Sequence, residues 1–244
     1  MADIRKALRK FAPTFLAARE ACLNEADTVQ RLCKCFETVF GYDAIEDISR
    51  EANLKNKFVD VCLKIDGKIR ILVEAKAAPV QLRERHIDQA QSYASRNNYP
   101  WVLLTNGVDW HLYHLTFGEG IDYQLAFSVS LKDESGIDEA AAKLSHLHKT
   151  VVKKGGLTSF WESSTAMSAS SIGKSLFTDT ILLALRKQIR KDCKIIVDPE
   201  ELASSLHEML TTAAREQIGP LKIRRKRKPS KPREKPIAEI PAEA

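Results

Sequence analysis

The run from Phe58 to Lys76, FVDVCLKIDGKIRILVEAK, alternates so regularly that few structures besides a β-hairpin accommodate it. Side chains along a strand point to the two faces of a sheet in turn. Odd positions carry Val59, Val61, Leu63, Ile65, Ile69, Ile71 and Val73, an aliphatic and β-branched set suited to a buried face. Even positions carry Asp60, Lys64, Arg70, Glu74 and Lys76, and Asp66-Gly67 marks the turn. A two-residue loop pairs position 65 with 68, puts Asp60 opposite Val73 and sends Asp60 and Glu74 to opposite faces. Keeping both faces intact needs an odd loop, and we expect a three-residue turn with Gly67 in the left-handed conformation and a bulge.

Around the hairpin the period changes. Ile4, Leu8 and Phe11 recur at helical spacing up to Pro13, where the helix is expected to break before resuming around Phe15 and Leu16. A helix from Glu25 to about Phe40, capped by Asn24, places Val29, Leu32 and Phe36 on one stripe and stops at Gly41. Pro79 precedes an expected helix from about Leu82 to Arg96, and Pro100 precedes the strand Trp101 to Thr105. Asn106-Gly107 turns into Trp110 to Leu115, a further strand covers about Leu125 to Leu131, and 138–149 reads as a helix. Helices and strands in this order imply an α/β fold with a mixed central sheet in a three-layer core. Later, Lys153-Lys-Gly-Gly156 marks a boundary, Ser163 to Ser171 reads as a connector, and two helices follow, the second opened by Asp198-Pro-Glu-Glu201. The expected division is 1–150 for the α/β domain, 151–221 for a C-terminal helical extension and 222–244 for a basic tail.

Three stretches carry a family resemblance: Phe58-Val-Asp-Val, Leu72-Val-Glu-Ala-Lys76, and Asp88-Gln-Ala-Gln-Ser-Tyr-Ala94 followed by Val102 to Trp110. In this order they resemble the N-terminal nuclease domain of type I restriction enzyme R subunits and its stand-alone, type IV-like relatives, within the PD-(D/E)xK nuclease superfamily. The likeness covers roughly the first half of the chain. It implies a restriction-endonuclease-like core and hydrolysis of phosphodiester bonds in foreign DNA. The proline of the superfamily's name is absent, Val59 standing before Asp60, and the motor domain that follows in R subunits has no counterpart.

Two carboxylates opposite each other suit Mg²⁺, a hard cation that prefers carboxylate, water and phosphate oxygens, and Mn²⁺ is expected to substitute. Asp60 and Glu74 are the ligands this reading names. The resemblance adds the backbone carbonyl of Ala75 and an acid from the preceding helix, for which Glu25 is preferred over Glu37. Lys76 is assigned to positioning the attacking water and stabilising charge on the phosphate, since an ammonium among carboxylates stays protonated. Gln89 and Tyr93 are helix neighbours that, by resemblance, abut the catalytic hairpin. Glu51 is a further acid near the hairpin, and Arg83, Arg85, His86 and Arg96 are cations that could track a nucleic-acid backbone. An exposed, salt-bridged strand face is the bland alternative for the whole set.

Gly173-Lys174-Ser175 invites a phosphate-loop reading, but Ser168 stands where that loop needs glycine, so no ATP site is expected. Residues 222–244 hold nine Lys or Arg and three Glu, which leaves the preceding body close to neutral within a net charge of +6. Such a tail can bind phosphates without reading sequence. Five scattered cysteines without zinc-site spacing point to free thiols in a reducing cytoplasm, and no apolar run reaches membrane-spanning length. The expected partners are DNA, other restriction-system subunits and a second copy of the chain, because cutting two strands commonly uses two sites. The competing expectation is a catalytically inactive nucleic-acid-binding module that keeps the fold. Action on RNA or branched DNA is a third.

Overall fold

The computed structural model describes residues 4–53, 58–88, 94, 97–118 and 120–220. The chain divides into two compact units, the first ending at Ser164 and the second starting at Thr165. In the first, six strands form one sheet in chain order: β1 (Ile48–Asn53), β2 (Phe58–Ile65), β3 (Lys68–Ala75), β4 (Trp101–Thr105), β5 (Asp109–Phe117) and β6 (Ile121–Ser130). Every neighbouring pair is antiparallel except β3 and β4, which run parallel. A parallel pair cannot be joined by a tight turn, so the chain crosses over between Ala75 and Trp101 and covers one face of the sheet on the way.

The β2–β3 hairpin keeps the acids together by a different route from the three-residue turn. Ile65 pairs with Lys68 across a two-residue loop in which Asp66 and Gly67 both have positive φ, 50° and 74°. This mirror-image turn matches the twist of the strands, and Asp-Gly is among its favoured pairs, so the shorter loop wins. The odd offset comes instead from a bulge, where Lys64 pairs with Ile69 but Leu63 pairs with Ile71, leaving Arg70 as the extra residue. Beyond it Val61 faces Val73, and the same register sets Asp60 opposite Glu74. The bulge also moves Ile69 off the face of Ile71; it packs instead beside Cys62 and Leu72.

On the first face, Val61, Leu63, Ile71, Val73 and Leu103 pack against α1 (Ile4–Glu20), α2 (Glu25–Thr38) and α3 (Glu134–Leu144). Trp110 is fully buried there, edge-on to Phe15 and Phe36, and its indole N–H donates to the Gly107 carbonyl at 2.8 Å. Gly107 has φ +89°, and a Cβ there would stand 2.3 Å from the Phe15 ring, so the Asn-Gly turn leads into the core at a position only glycine fits. On the second face, Leu82, Ile87 and Ala94 of the crossover cover Cys62, Leu72, Val102 and Leu104. The expected break at Pro13 does not occur, since α1 runs through it. Pro13 lies on the exposed side, where a carbonyl left without its helical donor can be hydrated.

Two more helices belong to this part of the chain, α4 (Lys149–Lys153) and α5 (Gly156–Ala166), and Leu157, Phe160 and Trp161 of α5 pack on the first core. The stretch read as a connector is therefore largely helical; it breaks only at Met167-Ser168, where the Ser168 hydroxyl caps the next helix through Ser171 N–H. In place of two later helices the described residues form four: α6 (Ala169–Leu176), α7 (Asp179–Cys193), α8 (Pro199–Glu208) and α9 (Thr212–Ile218). Their core is small, centred on Leu182, Leu202 and Ala203. No described helix is long and apolar enough to cross a membrane.

Candidate active site

The end of β3 gathers Asp60, Glu74, Lys76 and Glu25 through backbone geometry. Asp60 reaches across the hairpin and accepts a 2.7 Å hydrogen bond from the Ala75 N–H through Oδ2, which locks one carboxylate against the strand that carries the other. Lys76 follows β3 directly, and its N–H donates to the Thr105 carbonyl at 2.9 Å, prolonging the parallel ladder by one bond. The Ala78 N–H donates to the Leu23 carbonyl, which ties this strap to the start of α2 and brings Glu25 alongside. Asn24 caps α2 by accepting from the Asp27 N–H.

Glu74 is only 2% exposed, and its Oε1 accepts from the Lys76 ammonium at 2.7 Å. Lys76 Nζ also stands 3.5 Å from Glu25 Oε2, so it bridges a buried and a half-exposed acid. Glu74 Oε2 is buried and has no hydrogen-bond partner. An unmatched buried carboxylate oxygen costs on the order of 1–3 kcal/mol or more, so its presence in a folded core calls for an explanation. Burial first, and then the charge of Asp60, push the Glu74 pKa up to about 7, against the opposing pull of Lys76. Burial also draws Lys76 downward, but Glu74, Glu25 and Asp60 outweigh it, and the net shift is upward. Lys76 therefore remains an ammonium at neutral pH, which suits positioning and electrostatics better than proton abstraction.

The donor set fits a divalent cation at Asp60 and Glu74. A positive charge there would satisfy Glu74 Oε2 and offset the Asp60 repulsion that adds to burial in raising the Glu74 pKa. Among the described residues no three His, Cys, Asp or Glu side chains form a metal-binding group, so water and phosphate oxygens have to complete an octahedral shell. Ala75 is fully buried and pairs with Thr105 of the neighbouring strand. Glu37 is not brought to the cluster; it pairs with Lys34 on an exposed face of α2. Gln89, Tyr93, Arg96 and the Glu51 side chain lie outside the described residues.

Residues that strand periodicity gave no reason to single out hold the strap in place. Arg19 donates from Nε to the Ala78 carbonyl and pairs with Asp109 at 2.7 Å, and Asp109 accepts from the Ser130 hydroxyl. Asn106, fully buried, donates to the Val80 carbonyl at 2.7 Å and accepts from the Val108 and Asp109 N–H groups. The signal available in the sequence was the polar Thr105-Asn106 pair ending an otherwise apolar strand. His86 also lies close by: burial and then the charges of Arg85 and Lys76 lower its pKa, so a neutral imidazole sits within electrostatic reach of the ammonium.

Residues 25–124 match the family described as type I restriction enzyme R protein N terminus. The matched span takes in Glu25, Asp60, Glu74 and Lys76 together with the strap that joins them. Comparison with curated proteins and with solved structures gives no match.

Proposed function

We propose that this chain, whose residues 25–124 match the N terminus of type I restriction R proteins, is a metal-dependent endodeoxyribonuclease acting in a restriction system on foreign DNA in the cytoplasm. The observation that carries the reading is the buried, unpartnered Oε2 of Glu74 next to Asp60, inside the matched segment. Asp60 and Glu74 would hold Mg²⁺, with Mn²⁺ able to replace it, and the Ala75 carbonyl and Glu25 are proposed to reach the ion through the water molecules that complete its shell. The chemistry such an ion supplies is screening of a phosphodiester and acidification of a water molecule.

The chain's own groups do the remaining work. Lys76 keeps its proton, neutralises charge that builds on the phosphate oxygens and holds the nucleophile in line. The Ala75 N–H fixes the Asp60 carboxylate, and the Thr105 carbonyl fixes the backbone of Lys76, so neither group needs to reorganise when substrate arrives. Gln89 and Tyr93 are proposed to support Lys76 or the DNA backbone. Other restriction subunits and a second copy of the chain are the proposed partners, and residues 222–244 are proposed to add sequence-independent phosphate contacts.

The second reading, a nucleic-acid-binding module without catalysis, is favoured by two observations: Lys76 already pairs with Glu74, and the described residues hold no three-ligand metal group. The two part on plasmid and single-stranded DNA incubated with Mg²⁺, Mn²⁺ or EDTA, using wild type, Asp60→Ala and Lys76→Ala. The nuclease reading expects cleavage by wild type in either metal, none in EDTA, and loss in both variants. DNA binding with no metal-dependent cleavage by any of the proteins supports the second reading instead.

A further inference from the structure

Lys68 and Glu74 stand toward opposite ends of β3, roughly 20 Å apart along the strand. At the Lys68 end the first unit opens a cleft of about 1010 Å³. Its walls are the β2–β3 hairpin, the loop leading into β4 and the start of α5. Lys64, Lys68, Arg70 and Lys153 line it, and among the described residues no acidic side chain does. Lys153 is paired with the turn residue Asp66 at 2.8 Å. Among the described residues the side chains of Lys64, Lys68 and Arg70 form no hydrogen bond or salt bridge, although Arg70 feels the charge of Asp66. Like charges crowded into a concave surface repel one another and focus a positive field outward, an arrangement that an anion stabilises.

Two backbone features add to this. Arg70 is the extra residue of the β3 bulge, and a bulge re-aims the side chain it carries. The same irregularity thus sets Asp60 opposite Glu74 and turns a cation into the cleft. The helix α5 also opens here, at Gly156. Gly155 before it has no side chain to cap the first turn, and uncapped first-turn N–H groups favour negative charge.

The geometry points to this cleft as a binding groove for the phosphodiester backbone of a single nucleic-acid strand, separate from the Glu74 cluster. The cations are spread over two strands and α4 instead of converging on one point, as a run of phosphates requires and a lone phosphate does not. The loop residues Asn97, Asn98 and Tyr99 line the same cleft, and of these Asn98 is exposed.

The test is fluorescence anisotropy of labelled oligothymidylate with the full chain in EDTA, so that hydrolysis is silent and the result is independent of whether the chain cuts DNA. Lys68→Gln combined with Arg70→Gln is expected to weaken binding about tenfold at low salt and to shrink the slope of log K against log salt by about 1.4, two single-strand phosphate contacts. Asp66→Asn is expected to act oppositely, tightening binding about two- to threefold, because it removes an acid and releases Lys153. Asparagine keeps the turn, since it is favoured where φ is positive. Unchanged affinity and slope in both proteins would overturn the groove. So would weaker binding of thymidine monophosphate with oligothymidylate unaffected, which assigns the cleft to a free nucleotide. Should the double variant melt early, the Asp66→Asn result decides alone.

Discussion

Glu74→Gln is expected to abolish metal-dependent cleavage, by roughly 10²–10³-fold or more, the scale on which a single preorganised electrostatic contact acts in catalysis. It is also expected to change how the cation-free protein responds to pH. Glu74 is nearly inaccessible and its pKa stands near 7, above the value of an exposed glutamate. A carboxyl whose folded pKa is raised favours folding while protonated, and that contribution is lost as pH rises through the folded value. Wild type in chelator should therefore lose roughly 3 kcal/mol of stability between about pH 4.5 and pH 8, whereas the glutamine variant, with no proton to lose, should not show this fall. Chemical denaturation across that range measures both. A variant that still cuts DNA, or a wild type whose stability does not fall above pH 5, removes Glu74 from the role assigned to it.

The second large effect is on cation affinity. Because a cation and a proton compete for Glu74, Mn²⁺ affinity should rise about tenfold per pH unit below pH 7 and then level off, a change of about a hundredfold from pH 5 to the plateau above pH 7. Titration calorimetry at several pH values gives the curve. The Asp60→Asn variant separates the two causes of the raised pKa. Removing the neighbouring charge leaves burial in place, so the plateau should begin at lower pH while the affinity on the plateau drops. Affinity that does not vary between pH 5 and pH 8 means the cation is held by groups other than Glu74.

Strand alternation made the hairpin, the buried aliphatic face and the pairing of Asp60 with Glu74 readable in advance, because a one-residue slip would expose the whole set. It did not locate the irregularity. An odd offset can be placed in the loop or anywhere along the ladder with the same effect on Asp60, and the choice fell to the turn chemistry of Asp66-Gly67. Ile69 was assigned to the wrong face for that reason. Pro13 misled because a proline on a helix's exposed side removes a bond that water replaces, and sequence does not say which side is exposed until the partner surface is known.

The cluster itself was half legible. Glu25 was singled out from a resemblance, and what brings it to Lys76 is the Ala78–Leu23 backbone bond, a long-range contact that no local pattern encodes. Arg19, Asp109 and Asn106 belong to the same class: each is polar at a position where periodicity explains nothing, and each is engaged with backbone or charge from a different element. The cationic cleft was hidden because its residues come from the hairpin, the loop before β4 and the segment before α5, which meet only in the folded sheet.

The most direct measurement of the central claim is anomalous scattering from crystals of the full chain soaked with Mn²⁺ above pH 7. The account predicts a peak bonded to Asp60 and to Oε2 of Glu74, absent from the Glu74→Gln variant grown in the same way. A well-ordered Asp60–Glu74 pair with no peak, or manganese bound only elsewhere, would contradict it.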